Sequence, residues 1–190
     1  MATPQEKLAR ALEALRTLQD AGRTAIRSSD LTRSNRERLL AKGFLREVMK
    51  GWYIPARPDE FIGDSTAWYA SFWGFCSEYL HERFGEEWCL SPEQSIALHV
   101  GNRAVPAQLL VRAAKGRNRP TELLHGTSLL DIRSSLPPER DMSVTEGLRL
   151  YELAAALVAC SPGFFTANPT DARAGLSMVR DSSDILSRLL

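Results

Sequence analysis

Residues 32–56 read TRSNRERLLAKGFLREVMKGWYIPA, a short basic stretch running directly into a second, strand-like one. Ser34 and Glu37 have the S-x-x-E spacing of a capping box, which predicts a helix starting at about Asn35. Gly43 suits the left-handed position just past its end. Leu39 and Leu40 supply the core face. Arg38 and Lys42, four apart, share the opposite face. Arg36 falls nearer the leucines by angle, but in the first turn a long side chain can splay outward. Phe44 to Met49 then reads as a strand and Trp52-Tyr53-Ile54 as its partner. Lys50-Gly51 is the two-residue loop between them, and Pro55 ends the second strand.

Working outward toward the N-terminus, Leu8, Leu12, Leu15 and Leu18 recur at helical spacing. They predict an amphipathic helix over about residues 4–20, stopped at Ala21-Gly22. Ile26 and Leu31 flank Ser28-Ser29-Asp30, where we expect a short second helix with a serine cap. Three helices followed by a hairpin make a winged helix-turn-helix, here over residues 1–57. In that arrangement the third helix enters the major groove of double-stranded DNA, and nearby basic groups hold the phosphates. The candidate DNA-binding residues are Arg33, Ser34, Asn35, Arg36, Arg38 and Lys42, with Lys50 at the wing tip. Basic helices also occur as solvated faces, and winged helices also dock proteins, so an interaction module is the competing reading.

The whole chain has 190 residues, enough for one large domain or two small ones. A hydrophobic share of 44% and a charged share of 25% place it among globular proteins rather than disordered ones. No apolar run approaches the roughly 20 residues of a membrane-spanning helix. The N-terminus MATPQEKLARALEAL has acids and no apolar core, so no export signal is expected and the expected location is cytoplasmic. Cys76, Cys89 and Cys160 are too few and too scattered for a disulfide framework or a zinc site, and they read as buried free thiols.

Net charge is only +1, yet it is segregated. Residues 1–57 carry +6, residues 58–100 carry −7, residues 101–133 carry +4 and the remainder −2. Segregated charge points to partners better than the total does. Arg112, Lys115, Arg117 and Arg119, with Arg103 farther off, form a second basic surface. Three readings of it stand side by side: a second DNA contact, a site for an acidic protein, or a solvated turn. Self-association against the acidic belt at 58–100 is a further one.

A linker is expected at residues 58–64, PDEFIGD. Beyond it lies a second α+β domain over residues 58–190, with short strands and a helical C-terminus. Residues 66–84 predict a helix with Trp68, Phe72, Phe75, Tyr79 and Phe84 on a buried face. Ser91-Pro92-Glu93 starts another, ending near His99. Strands are expected at 108–113, 121–124 and 128–132, a proline-bearing loop at 134–145, and helices at about 146–160, 169–179 and 181–190.

The sequence offers no catalytic constellation. The histidines are His81, His99 and His125, and H-E-x-x-H, G-x-S-x-G and P-loop patterns are missing. Glu86 and Glu87 are adjacent, so on a helix they point apart. The reading is a non-enzyme with no cofactor and no metal.

Two family resemblances bear on function. LLAKGFLREVMKGWYIPA resembles the wing region of the abortive-infection type IV antitoxin (AbiEi) family, with Leu39 or Leu40, Gly43, Leu45, Gly51 and Tyr53 on its pattern. LSPEQSIALHVGN (90–102) and QLLVRAAKGRNRPTELLHGTSLLDIR (108–133) resemble the segments that follow. The resemblance spans about residues 5–160. It implies a transcriptional repressor acting on its own operon, with an AbiEi-like second domain that antagonises a partner toxin. GWYIPARPDE, GDSTAWYASFWGFC, CLSPEQSIALH and PTDARAGLSMV also resemble the N-terminal part of some longer bacterial Fic proteins. HVGNR (99–103) lacks the Pro-Phe of their catalytic signature. That resemblance implies a non-catalytic regulatory or protein-interaction module from a Fic-type adenylyltransferase.

Overall fold

The computed structural model describes residues 3–60 and 63–189. Helix α1 spans Pro4–Asp20 and opens with a complete capping box. The Thr3 hydroxyl accepts from Glu6 N, and the Glu6 carboxylate accepts from Thr3 N. Strand β1 is Ile26–Arg27, helix α2 is Arg33–Ala41, and strands β2 (Leu45–Met49) and β3 (Trp52–Pro55) form the hairpin. The three strands pair in the order β1-β3-β2, with Ile26 opposite Tyr53 and Glu47 opposite Tyr53 from the other side. Ala11, Leu15, Ile26, Leu31, Leu39, Leu45 and Tyr53 make one buried cluster beneath this sheet and the two helices.

Two expectations for this region need correction. The helix placed between Ile26 and Leu31 does not form. Only three residues separate β1 from the Leu31-Thr32 entry to α2, and Asp30 closes them into a turn. Its carboxylate accepts from Arg27 N at 2.8 Å, while Asp30 N donates to the Arg27 carbonyl at 3.0 Å. Two helices therefore precede the hairpin, not three. The cap of α2 also differs. Thr32 is the N-cap, accepting from Asn35 N, and Glu37 turns instead to Arg33. The end of α2 is as expected: Gly43 at φ +76° and Phe44 N bonded to the Leu39 carbonyl close a Schellman motif.

Helix α3, Thr66–Phe84, carries the aromatic face. Trp68, Phe72 and Phe75 are fully buried. The Trp52 ring of β3 packs edge-on against Phe75 and Tyr79, with centroids 6.1 and 5.3 Å apart. The chain divides into two compact units. One holds the residues up to Tyr79 together with Glu122–Gly126, and the other holds Leu80–Thr121 and Thr127 onward. The expected boundary fell after residue 57, whereas this division leaves most of α3 in the first unit. The expected linker at 58–64 lies partly outside the described residues.

The second unit contains β4 (Trp88–Leu90), α4 (Pro92–His99), β5 (Gln108–Ala113), β6 (Arg119–Glu122, its last residue excepted) and β7 (Ser128–Arg133). These strands pair in the order β4-β5-β7-β6, with β5 and β7 parallel. Then follow β8 (Met142–Thr145), β9 (Leu148–Tyr151), α5 (Leu153–Ala159), α6 (Pro162–Ala167), α7 (Pro169–Met178) and α8 (Ser182–Leu189). The architecture is α+β. The long helix expected at 146–160 is instead a hairpin strand and a short helix. Glu146 and Gly147 both take positive φ, +51° and +77°, the two-residue turn that joins β8 to β9. Part of the expected loop at 134–145 becomes β8 for the same reason. The last expected helix is α8, with Leu190 outside the described residues.

Asp131 organises the middle of this unit. Fully buried on β7, it meets the Arg83 guanidinium and accepts from Arg117 N at 2.7 Å. Gly116, in the turn before it, lies so close to β7 that a Cβ would stand 2.6 Å from Arg133 N and from the Ile132 carbonyl carbon. Backbone cannot yield as a side-chain tip can. Gly116→Ala is expected to lower stability by about 1–3 kcal/mol, read as a fall in the urea midpoint at unchanged slope.

Candidate nucleic-acid interface

Helix α2 exposes Arg33, Ser34, Glu37 and Ala41. Arg33 Nε donates to Glu37 Oε1 at 2.7 Å, so the outermost cation of the helix already has a carboxylate beside it. That hydrogen bond, then the charge of Arg33, hold the Glu37 carboxyl below its usual range. Asn35 gives its backbone N–H to the Thr32 cap, and its side-chain oxygen accepts from Arg38 at 3.4 Å.

Arg36 does not splay outward. Its guanidinium donates to the Ser28 carbonyl at 2.7 Å and lies 5.9 Å from the Tyr53 ring centroid. It fastens the Asp30 turn and the sheet to the start of α2, which is a structural task. Arg38 and Lys42 do lie together, as their spacing predicts. They line a groove of about 390 Å³ with Pro4, Gln5, Lys7 and Leu8 of α1, and Arg38 also reaches the Lys7 carbonyl at 3.4 Å. Among the described residues, Lys7, Arg38, Lys42 and, at the hairpin tip, Lys50 have no carboxylate within ion-pair distance. Of the residues singled out from sequence, the structure therefore groups Arg38 and Lys42, turns Arg36 inward, and leaves Lys50 exposed at the turn. Sequence reasoning passed over Lys7. Its place beside α2 depends on how the two helices pack, and nothing local to residue 7 signals it. Glu37 was read as half of a cap, and the i, i+4 spacing to Arg33 was the available sign of its true partner.

Part of the remaining charge segregation resolves within each unit. In the first, Arg23 pairs with Glu78 and Asp30, and Arg46 with Glu60. In the second, the members of the basic segment have different surroundings. Arg103 makes two 2.7 Å bonds to Glu146, and Lys115 reaches Glu87 of the acidic belt at 3.1 Å. Arg112 bonds the Tyr151 hydroxyl at 2.6 Å. Arg117 and Arg119 are exposed.

The thiols offer no nucleophile. All three cysteines are buried and free, and burial pushes the Cys89 thiol up to about 12, so it is not a thiolate at neutral pH. His99 is occupied at the Tyr151 carbonyl, 2.7 Å away. Among the described residues no group of three His, Cys, Asp or Glu side chains could hold a metal ion, and no helix is long and apolar enough to cross a membrane.

Comparison with protein families, with curated proteins and with solved structures gives no match to this chain.

The Arg33–Glu37 geometry has a direct spectroscopic reading. The Glu37 carboxyl is expected to titrate below an ordinary glutamate, followed by carbon-detected NMR, and Arg33→Gln is expected to move its midpoint upward. A midpoint indifferent to that substitution would mean the pair does not form in solution.

Proposed function

We propose that the chain is a DNA-binding transcriptional repressor and antitoxin, working in the cytoplasm without catalysis, and that its second unit binds a partner toxin. The observation that carries the DNA-binding half is the cationic groove. Lys7, Arg38 and Lys42 meet across two helices with no carboxylate among them, and Lys50 stands at the tip of the adjoining hairpin. A duplex offers a row of phosphates to such groups, and in this reading Arg38 turns from the groove to a base edge. The β1-β3-β2 sheet behind α2 is in keeping with a winged helix in which a turn replaces the middle helix. The repressor and antitoxin roles rest on the AbiEi-like wing and downstream segments.

A second reading draws on the Arg33–Glu37 pair. A neutralised pair on the outermost turn suits a protein-docking face, as in a non-catalytic module of Fic type. Binding to the DNA upstream of the protein's own coding region, measured by fluorescence anisotropy at two salt concentrations, separates the two.

The repressor reading expects affinity to fall steeply with salt. Lys42→Ala and Lys50→Ala are each expected to reduce the logarithmic salt slope by about 0.9, weakening all sequences alike. Arg38→Ala is expected to cost about 1–3 kcal/mol and relax specificity at one base pair. Arg36→Ala is expected to act on stability, since its guanidinium bonds the Ser28 carbonyl and lies over the Tyr53 ring. Salt-independent binding, or a Lys7, Arg38 and Lys42 triple-alanine variant that folds and binds like the parent, would remove the groove from consideration and favour protein docking.

A further inference from the structure

Arg112 departs from its basic neighbours. It lies on β5 of the second unit, half-buried, with its side chain turned toward β9. One N–H bonds the Tyr151 hydroxyl at 2.6 Å, and the guanidinium carbon lies 5.5 Å from that ring's centroid. A guanidinium has five N–H donors and no acceptor. For Arg112 the structure gives one of them a partner, and that partner is neutral. Tyr151 Oη accepts this bond and still has its own proton to donate, with no acceptor for it among the described residues.

These donors line a cavity of about 240 Å³. Leu136, Pro137, Ala155 and Val158 give it apolar walls. Its other charges cancel: Arg188 Nε donates to Asp141 Oδ1 at 2.8 Å, and Asp141 is buried. What is left over is one positive charge and a surplus of donors, partly removed from water. A half-buried cation without a carboxylate is costly unless an anion completes it.

We infer that this cavity is a binding site for a small organic carboxylate, its oxygens held by the Arg112 fork and the Tyr151 hydroxyl and its apolar part lying against the Pro137–Val158 walls. The fork of a guanidinium matches a planar carboxylate in two parallel bonds. The volume is below the roughly 300–1,000 Å³ of sites for drug-sized ligands, which limits the guest to a short or single-ring acid. This site is independent of the DNA-binding reading. It borrows nothing from α2, and either assignment can fail without the other.

The test uses the full chain and three probes: benzoate, acetate and inorganic phosphate, each titrated by calorimetry and by thermal unfolding. Benzoate is expected to saturate and raise Tm, acetate to bind more weakly for want of the apolar part, and phosphate to bind least, since it fits the charge but not the walls. Arg112→Gln is expected to weaken benzoate by at least about tenfold. Because Arg112 also supports Tyr151, a second variant leaves both untouched: Ala159→Phe, at an exposed rim position, is expected to fill the cavity and abolish binding while the fold holds. No saturable benzoate binding at about 10 mM overturns the inference. So does binding undiminished in both variants. Phosphate binding as tight as benzoate would overturn the carboxylate assignment and leave a simple anion site.

Discussion

The Glu78 carboxylate holds the first unit together. It accepts from Arg23 Nε at 2.6 Å, from Thr24 N at 2.6 Å and from Ala25 N at 3.1 Å. Those donors belong to the segment between α1 and β1, which forms no regular structure of its own and would otherwise leave its amides unsatisfied. One turn earlier on α3, Gly74 has no side chain, and Thr24 fills that space: a Cβ there would stand 2.7 Å from the Thr24 hydroxyl. Charge and close approach thus meet on Thr24, one turn apart on the same helix. Arg23 carries the constraint onward to Asp30, whose turn sets where α2 begins. The α1–α2 packing that places the cationic groove is shared between this network and the buried cluster of Ala11, Leu15 and Leu39.

That chain of contacts also explains what became of the charge segregation. The sequence has a basic head and an acidic belt, and such a pattern invites a search for external partners. Glu60 and Glu78 of the belt turn out to be the partners of Arg46 and Arg23. Among the described residues of the head, Lys7, Arg10, Arg36, Arg38, Lys42, Lys50 and Arg57 lie in no ion pair, and three of these, Lys7, Arg38 and Lys42, line one groove. Function is to be read from this remainder, since a charge already paired within the fold gains little by meeting a phosphate.

Where local chemistry alone decides an element, the sequence was legible. The leucines of α1, Gly43 after α2, Ser91-Pro92 before α4 and the aromatic face of α3 all announce themselves through period or cap. Where a distant group decides, it was not. The turn at Ser28-Ser29-Asp30 has helix-capping residues, and only Asp30 bonding back to Arg27 shows that they close a turn. Glu146 in a left-handed conformation is uncommon enough that Glu146-Gly147 did not read as a hairpin, and a helix was carried straight through it. In the candidate site, the pairing of Arg38 with Lys42 followed from spacing. The inward course of Arg36 and the arrival of Lys7 required the packing of α1, β3 and α2 to be known.

The hold of α3 on the residues before β1 has a bearing on how the molecule can be taken apart. A fragment ending after the hairpin keeps every residue of the cationic groove and still loses its architecture. Two backbone amides forfeit their acceptor, the Arg23 guanidinium keeps only Ala25 and Asp30, and the indole of Trp52 forfeits the rings of Phe75 and Tyr79. The helices and hairpin up to β3 are therefore not the whole of the first unit. Most of the helix that follows them belongs to the same unit, and dissection or fusion at the apparent linker would separate the groove from groups that hold the residues before β1 in place.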